Sequence, residues 1–130
     1  KIKKKQIRRE LKRAFRVMNK IYGVNTTMLR PPYGNVNDKM RQTIRIPMIY
    51  WNVDTEDWAS RNKDKILSRC KSIKDGDIVL MHDLYPSTAA AVEKLVPKLR
   101  KKGFQLVTVE ELFYYKGIDA KGGKVYFNGR

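Results

Sequence analysis

The sequence of 130 residues contains one cysteine, one histidine and no long hydrophobic run. The lone cysteine, Cys70, excludes an internal disulfide framework, and the lone histidine, His82, excludes a metal site built from several histidines of this chain. The longest apolar runs, such as residues 78–81, fall far short of the ~18 residues that span a bilayer. We therefore expect a soluble, packed chain whose metal ligands, if it uses a metal, lie elsewhere.

Acidic residues are also scarce, since 13 Asp and Glu stand against 29 Lys and Arg and leave a net charge of +16. The hydrophobic share of 42% is too high for a disordered basic tail. The basic residues are densest in residues 1–20 and 94–102, where they fill the polar positions of amphipathic helices. This charge indicates nucleic acid, anionic lipid or an anionic wall polymer as a partner, although a solvated helix face produces the same pattern.

The beginning of the chain carries no leader pattern of charged, apolar and small residues. It starts at Lys1 rather than at Met, within a stretch that already has helical periodicity. We expect the chain to be the C-terminal part of a longer polypeptide.

Apolar residues at steps of three and four predict a first helix over residues 7–22, which Gly23 ends. Asn37 is the predicted cap of a short second helix. Ser60 or Asn62 caps a third, on whose buried face Cys70 is expected to belong to the core.

A further helix is expected to begin at Ser87 and to end at Gly103. Pro97 lies inside this pattern, and an interior proline costs about 3 kcal/mol. We expect a kink there, or a first half that is loop. Residues 110–115 predict one more short helix.

Short apolar stretches that alternate with these helices predict strands, at residues 26–29, 47–51, 78–81 and 104–109, with a further short strand at 124–127. Such alternation is typical of a parallel sheet with right-handed crossovers. About four units are present, whereas an eight-unit barrel needs about 250 residues. The predicted fold class is α/β, with about half of a parallel barrel.

Polar residues follow three of these strands, where the chemistry of parallel α/β folds gathers. Arg30 belongs to a proline-held loop, residues 30–34, whose backbone N–H groups can stabilise an oxyanion. A surface arginine paired with a carboxylate explains the same residue equally well. Residues 54–58 place carboxylates beside Trp58, which suits the orientation of a histidine and stacking on a sugar. Helix capping by Asp57 or Ser60 explains the same residues.

His82 follows the strand at 78–81. A single histidine near an apolar strand is more often structural than catalytic. His82 is nevertheless the one side chain here that ordinarily titrates near neutrality, and an acidic neighbour such as Asp57 would keep the imidazolium available as a general acid.

Together these residues resemble the polysaccharide deacetylases of the NodB-homology type, carbohydrate esterase family 4. The resemblance extends to about Tyr114, and the sequence that flanks the motifs is similar to that of bacterial peptidoglycan deacetylases. It rests on three motifs in the family's order: Arg30-Pro31-Pro32-Tyr33-Gly34, Asp54-Thr55-Glu56-Asp57-Trp58 and Leu80-Met81-His82. The implied fold is an irregular parallel (β/α) barrel of the NodB-homology type.

The resemblance also implies roles for the matching residues. Arg30 would hold the catalytic base, an aspartate outside this chain, and the backbone N–H of Tyr33 would bind the oxyanion. Asp57 would tune His82, which would protonate the departing amine.

Substrate contacts are implied for four further residues. Leu80 would wall the acetyl pocket and Trp58 would line the sugar groove, and Pro31 and Pro32 are assigned to substrate binding with them.

Two motifs of the family are absent. These are an Asp-Asp pair, which supplies the base and one metal ligand, and a His-x-x-x-His pair, which supplies two more ligands. We therefore expect no metal ligand in this chain, and zinc or another divalent metal only in the complete enzyme.

The resulting hypothesis is a bacterial, extracellular or cell-envelope hydrolase that removes N-acetyl groups from N-acetylglucosamine in a wall polysaccharide, most simply peptidoglycan. Residues 1–115 would be the C-terminal part of its catalytic domain, and residues 116–130 a peripheral tail. The expected partners are the polysaccharide and the missing N-terminal segment, without nucleic acid. The alternatives are a non-catalytic basic module that binds nucleic acid or an anionic wall polymer, and an inactive fragment of the deacetylase.

Overall fold

The computed structural model describes residues 3–130, which divide into two compact units. Unit 1 consists of the described part of Lys1–Tyr50 together with Asp119–Tyr126, and unit 2 consists of Trp51–Ile118 together with Phe127–Arg130. Both units combine helices with parallel strand pairs. Within the described part of the chain, no helix has the length and apolar character needed to cross a membrane.

The first helix of unit 1, α1, spans Lys4–Tyr22. Gly23 adopts a left-handed conformation with φ of 67°, and its N–H donates to the carbonyl of Asn19 over 2.8 Å. A residue with a Cβ is strained in that conformation, which is why glycine ends helices in this way. The predicted helix and its stop at Gly23 are confirmed.

The remainder of unit 1 contains a short 3₁₀ turn at Pro32–Gly34, the helix α2 at Asp38–Thr43 and the strand β1 at Met48–Ile49. The side chain of Asn37 caps α2, as predicted, by accepting from the backbone N–H of Met40 over 3.0 Å.

The strand predicted at residues 26–29 is wrong. Only Leu29 takes part in a bridge, with Met48. Arg30 then leads into Pro31 and Pro32, which lack the N–H groups that would extend a ladder.

Residues near the C-terminus complete the sheet of unit 1. The strand β4 at Val125–Tyr126 pairs in parallel with β1, with Met48 opposite Val125. The short strand predicted at 124–127 is thus confirmed. Gly123 has φ of 79°, and a Cβ there would lie 2.4 Å from the Arg41 carbonyl oxygen, so this close approach requires glycine. Residues 116–130, predicted to be a peripheral tail, therefore contribute a paired strand, while the domain boundary at residue 115 stays a prediction.

Unit 2 is built on the parallel strands β2 at Val53–Asp54 and β3 at Val79–Leu80. Its helices are α3 at Asp57–Ser60, α4 at Lys63–Arg69, α5 at Pro86–Lys101 and α6 at Val109–Tyr115. The strand predicted at 78–81 and the helix predicted at 110–115 are confirmed. The strand predicted at 104–109 is wrong, because residues 104–108 form no ladder with another described segment.

The predicted start of α5 also needs correction. The helix begins at Pro86, after Tyr85 in the N-cap position, and the hydroxyl of Ser87 is buried without a partner among residues 3–130. Proline suits the first helical position because its φ is already helical and its missing N–H would be unpaired there anyway.

Pro97 does not turn the first half of α5 into a loop, since the helix is continuous from Pro86 to Lys101. Leu95 and Leu99, on either side of Pro97, are buried against Cys70. Burial of two leucines, worth about 1.5–3 kcal/mol each, offsets the cost of an interior proline. The predicted core role of Cys70 is confirmed.

The cap of α4 gives a first testable expectation. The side chain of Asn62 accepts from the N–H groups of Asp64 and Lys65, each over 3.0 Å. Asn62→Ala removes both bonds and is expected to lower the free energy of unfolding by about 1 kcal/mol. Urea denaturation followed by circular dichroism measures this difference, with Asn62→Ser, which keeps a capping oxygen, as the control. An alanine variant as stable as the serine variant would show that the cap contributes nothing.

Candidate active site

The candidate site of unit 2 lies just beyond the ends of two adjacent parallel strands. Asp54 of β2 pairs with Leu80 of β3, so the residues that follow each strand emerge at the same edge. The fully buried Thr55 ties the two ends together, because its hydroxyl donates to the Leu80 carbonyl over 2.8 Å. This pairing brings Asp57 and His82 together although they are far apart in the sequence.

Asp57 is completely buried and accepts three hydrogen bonds. Its Oδ1 lies 2.8 Å from Nδ1 of His82, its Oδ2 accepts from the His82 backbone N–H over 2.6 Å, and the Thr88 hydroxyl donates to the same oxygen over 2.9 Å. Asp57 is thus the acidic neighbour of His82 that the sequence predicts, while the catalytic roles of both residues stay predictions. Every bond uses the carboxylate as an acceptor, so the site is built for an ionised Asp57.

The pKa of Asp57 lies below its usual value. Burial by itself would raise this pKa, but the hydrogen bonds from the side chain and backbone of His82 and from the Thr88 hydroxyl outweigh it. Because an ionised carboxylate only accepts, Nδ1 of His82 is assigned as the proton-bearing nitrogen. The imidazole therefore keeps Nε2 for contacts outside the pair.

The imidazole is held in place but not enclosed. The His82 side chain is 28% exposed, compared with 1% for the Asp57 side chain. The Tyr85 ring packs edge-on against the imidazole at 6.5 Å between centroids, and the Arg61 guanidinium lies 5.0 Å from the centroid of the Tyr85 ring. Nε2 has no hydrogen-bond partner among residues 3–130. A ring fixed at one nitrogen and accessible at the other can exchange a proton with a bound molecule.

The short helix that begins with Asp57 has left-handed residues on both sides. Glu56 has φ of 46° and Arg61 has φ of 43°, conformations that cost about 1–3 kcal/mol each for residues other than glycine. Glu56 is held by its N–H bond to the Asp54 carboxylate at 2.9 Å and by an ion pair with Arg69. Strain of this kind persists only where the surrounding contacts hold the backbone in place. At Glu56 these contacts also fix the position of the adjacent Asp57.

The remaining predicted residues of unit 2 flank this pair. Trp58 is 52% exposed, so much of its ring can contact a ligand. Leu80 is buried, and its carbonyl receives the Thr55 hydroxyl.

The proline loop belongs to unit 1. Arg30 is exposed and Pro31 is buried, with Pro32 at the start of the 3₁₀ turn. Tyr33 adopts φ of 56°, and its side chain is 96% exposed. The Tyr50 hydroxyl donates to the carbonyl of Gly34 and anchors the turn. The convergence of this loop with His82 and Asp57 stays a prediction.

The described residues do not form a complete metal site by themselves. Across residues 3–130, no group of three or more His, Cys, Asp or Glu side chains is arranged to hold a metal ion. Cys70 is buried in the core of unit 2, and burial raises the pKa of its thiol, which keeps it protonated and unsuited to binding a metal. The described residues therefore do not fit a metal ion by themselves.

Thr88 is the residue of the site that the sequence did not reveal. It lies in the first turn of α5 and is buried with its hydroxyl on Asp57. Pro86 indicates the helix start, but no sequence pattern links a threonine there to an aspartate 31 positions earlier.

Thr88 also allows a test of the site's hydrogen bonding. Thr88→Val keeps the shape but removes the hydroxyl, and is expected to lower the free energy of unfolding by about 1.5–3 kcal/mol because a buried carboxylate loses one donor. Thr88→Ser keeps the donor and is expected to cost less than half as much. Thermal or urea unfolding of both variants measures the difference. Equal losses would assign the effect to packing and not to the hydrogen bond.

An α/β chain in which a buried aspartate orients a partly exposed histidine beyond two parallel strands has the features of enzymes that use acid–base catalysis. The chain is similar in sequence and in structure to the polysaccharide deacetylases of carbohydrate esterase family 4. The family described as "Polysaccharide deacetylase" matches residues 1–46.

Two curated relatives have similar sequences. Peptidoglycan-N-acetylmuramic acid deacetylase PdaC of Bacillus subtilis is 41% identical over 97 residues, which are 74% of this chain and 21% of the relative. Peptidoglycan-N-acetylglucosamine deacetylase PgdA of Listeria monocytogenes is 41% identical over 107 residues, which are 82% of this chain and 22% of the relative. The chain thus spans about a fifth of the length of these curated relatives.

Two solved structures match most of the chain. A T48 deacetylase with substrate superposes with a TM-score of 0.89 at 36% identity, covering 97% of this chain and 63% of that one. The peptidoglycan deacetylase PdaC from Bacillus subtilis superposes with a TM-score of 0.84 at 36% identity, covering 89% and 58%. These matches confirm the predicted α/β class and the NodB-type fold, of which this chain contains a part.

Proposed function

We propose that the chain is part of a hydrolase that removes N-acetyl groups from N-acetylglucosamine in the peptidoglycan of a bacterial cell wall. The observation that carries the proposal is the Asp57–His82 pair, in which a buried carboxylate orients an imidazole whose Nε2 remains accessible. Relatives named as peptidoglycan deacetylases support the substrate class.

His82 is the proposed general acid. Amide hydrolysis forms a tetrahedral intermediate, and the sugar nitrogen must gain a proton before the C–N bond breaks, because an amide anion is a poor leaving group. Protonated His82 would donate this proton from Nε2, while ionised Asp57 stabilises the imidazolium through Nδ1. The Thr88 hydroxyl acts through Asp57 and is a positioning group.

The proline loop is proposed to bind the reacting acyl group. The strained backbone at Tyr33 leaves its N–H without a partner among the described residues, and such a donor suits the developing oxyanion. Arg30 would hold the catalytic base, which this chain does not supply. Pro31 and Pro32 would fix the loop against the substrate.

The sugar and its acetyl group are proposed to contact Leu80 and Trp58. The half-exposed indole of Trp58 offers a flat surface for a sugar ring, and Leu80 would wall the acetyl pocket. The complete enzyme is proposed to hold zinc or another divalent metal on residues outside this chain. Such a metal would polarise the carbonyl and activate water.

The proposed location is the cell envelope or the extracellular space of a bacterium. The proposed partners are the wall polysaccharide and an N-terminal segment of the same protein that supplies the base and the metal ligands. No nucleic acid is needed for this function.

The test uses the polypeptide as the organism makes it, supplied with Zn²⁺ and incubated with purified peptidoglycan. Acetate release measures hydrolysis. Mass spectrometry of the muropeptides shows which of the two sugars has lost its acetyl group. Loss at N-acetylglucosamine is expected. Loss at N-acetylmuramic acid would correct the sugar, and the absence of acetate release from folded, metal-loaded protein would favour a non-catalytic module or an inactive fragment.

A further inference from the structure

One side of α1 carries a continuous cationic stripe that the proposed deacetylation does not use. The stripe consists of two rows of side chains four residues apart, namely Lys5, Arg9 and Arg13 in one row and Arg8, Lys12, Arg16 and Lys20 in the other. Four residues advance about 6 Å along a helix, so the stripe extends for about 22 Å. All seven side chains are exposed.

These cations are hardly neutralised by the protein. Glu10 is the one acidic residue of α1, and its contact with Arg9 at 3.4 Å is an exposed ion pair, which contributes little. Within residues 3–130, no other side chain of the stripe has an acidic group within 4.0 Å. Seven like charges on one helix side repel each other and attract a multivalent anion.

A membrane surface fits this helix less well than a dissolved polyanion does. A helix that lies in a bilayer interface inserts its apolar side. In unit 1 the first part of that side is occupied, because α1 packs against α2 and Ile7, Leu11 and Phe15 are half-buried. The last apolar residues of the same side, Met18, Ile21 and Tyr22, are exposed. Insertion along the whole helix is therefore blocked over its first turns, whereas the cationic side faces solvent from Lys5 to Lys20.

The chemistry of the stripe favours phosphate without bases. Four of its seven members are arginines, whose planar guanidinium groups bind phosphate oxygens in pairs. The aromatic residues of α1, Phe15 and Tyr22, lie on its apolar side and leave no ring among the cations on which a base could stack. We propose that the cationic stripe of α1 binds a linear phosphodiester polymer that lacks nucleobases. Its source would be an anionic polymer of the bacterial wall, an assignment that rests on the proposed function.

The binding test is an anisotropy titration of the chain with fluorescently labelled poly(glycerol phosphate) at several salt concentrations. Counterion release predicts that log K falls linearly with log salt, with a slope of about −0.7 for each phosphate neutralised. The triple variant Arg9→Gln, Arg13→Gln and Arg16→Gln keeps residues that favour helices. It is expected to reduce the slope by about 2 and the affinity at about 0.1 M salt by on the order of 10²-fold.

A matched triple in unit 2 separates the stripe from net charge. This second triple variant removes the same number of positive charges, three, from exposed positions of α5. Its substitutions are Lys94→Gln, Lys98→Gln and Lys101→Gln. This variant is expected to change the affinity less than threefold, and equal losses in the two triples would overturn the proposal. Circular dichroism verifies that both variants keep their helices.

Two further probes test the choice of partner. Phosphatidylglycerol vesicles and a mixed-sequence single-stranded DNA with the same number of phosphates are titrated under the same conditions. Both are expected to bind more weakly than poly(glycerol phosphate), and tighter binding to either would contradict the proposed partner. These titrations measure binding and not turnover, so their result is independent of the test of deacetylation. A chain that lacks deacetylase activity can still bind the polymer, and an active chain can fail to bind it.

Discussion

Replacing His82 with alanine in the complete, metal-loaded enzyme is expected to reduce kcat by about 10²- to 10⁴-fold, the contribution of a general acid. The imidazole is fixed by Asp57 at Nδ1 and accessible at Nε2, so the variant loses the proton donor. Zinc binding is expected to be unchanged, because His82 belongs to no group of three or more His, Cys, Asp or Glu side chains that could hold a metal within residues 3–130. Acetate release and metal content measured on the same preparation test both expectations.

The control for this variant is Leu84→Ala, which truncates an exposed side chain two residues away and is expected to leave kcat unchanged. Added imidazole is expected to restore part of the activity of His82→Ala, since a small acid can occupy the space of the lost ring. A His82→Ala enzyme with unchanged kcat would refute the assignment of the acid. Loss of zinc together with activity would instead indicate that His82 supports the metal site.

Asp57→Asn is expected to lower the free energy of unfolding by about 3 kcal/mol or more. The carboxylate accepts from two donors at Oδ2 and from a third at Oδ1, and an amide cannot accept at both atoms. At least one buried donor would lose its acceptor and meet a second donor. The control is Asp83→Asn, the same chemical change at an exposed neighbour, expected to stay within about 0.5 kcal/mol of the unchanged protein.

The same carboxylate gives a signature in pH. The pKa of Asp57 is lower in the folded chain than its usual value, so its contribution to stability is present above about pH 4 and is lost as the pH falls through the folded pKa. Urea unfolding between pH 7 and pH 3 measures this loss. Asp57→Asn is expected to remove that part of the acid dependence, whereas Asp83→Asn keeps it. An unchanged acid dependence in Asp57→Asn would show that other groups cause it.

Local patterns predicted the parts of the fold that local chemistry decides. The periodicity before Gly23 and the caps at Asn37 and Asn62 depend on residues within one helical turn, and the structure confirms them. The sequence predicts a start of α5 at Ser87 because serine is a common cap, whereas the helix starts at the preceding proline, whose φ is already that of a first helical residue.

Predictions that depended on distant partners were less complete. Residues 104–109 have strand-forming composition, but strand formation also requires a neighbouring strand, and none pairs with them within residues 3–130. Asp57 and His82 could be placed together because both follow parallel strands. The third member of the site, Thr88, could not be predicted from the sequence. The packing of α5 brings its hydroxyl to Asp57, and no local pattern encodes that packing.

The return of the chain to pair β4 with β1 affects the timing of folding during synthesis. Met48 leaves the ribosome long before its partner Val125, and at about 5–20 residues per second the roughly 75 intervening residues take about 4–15 seconds to synthesise. All of Trp51–Ile118, the larger part of unit 2, is made within that interval. Within residues 3–47, the part of the earlier chain that the structure describes, the nascent β1 meanwhile has only its bridge to Leu29 as a strand partner. Unit 1 is therefore begun first and completed last, so a ribosome that stalls after Ile118 would hold a chain whose β1 still presents an unpaired edge.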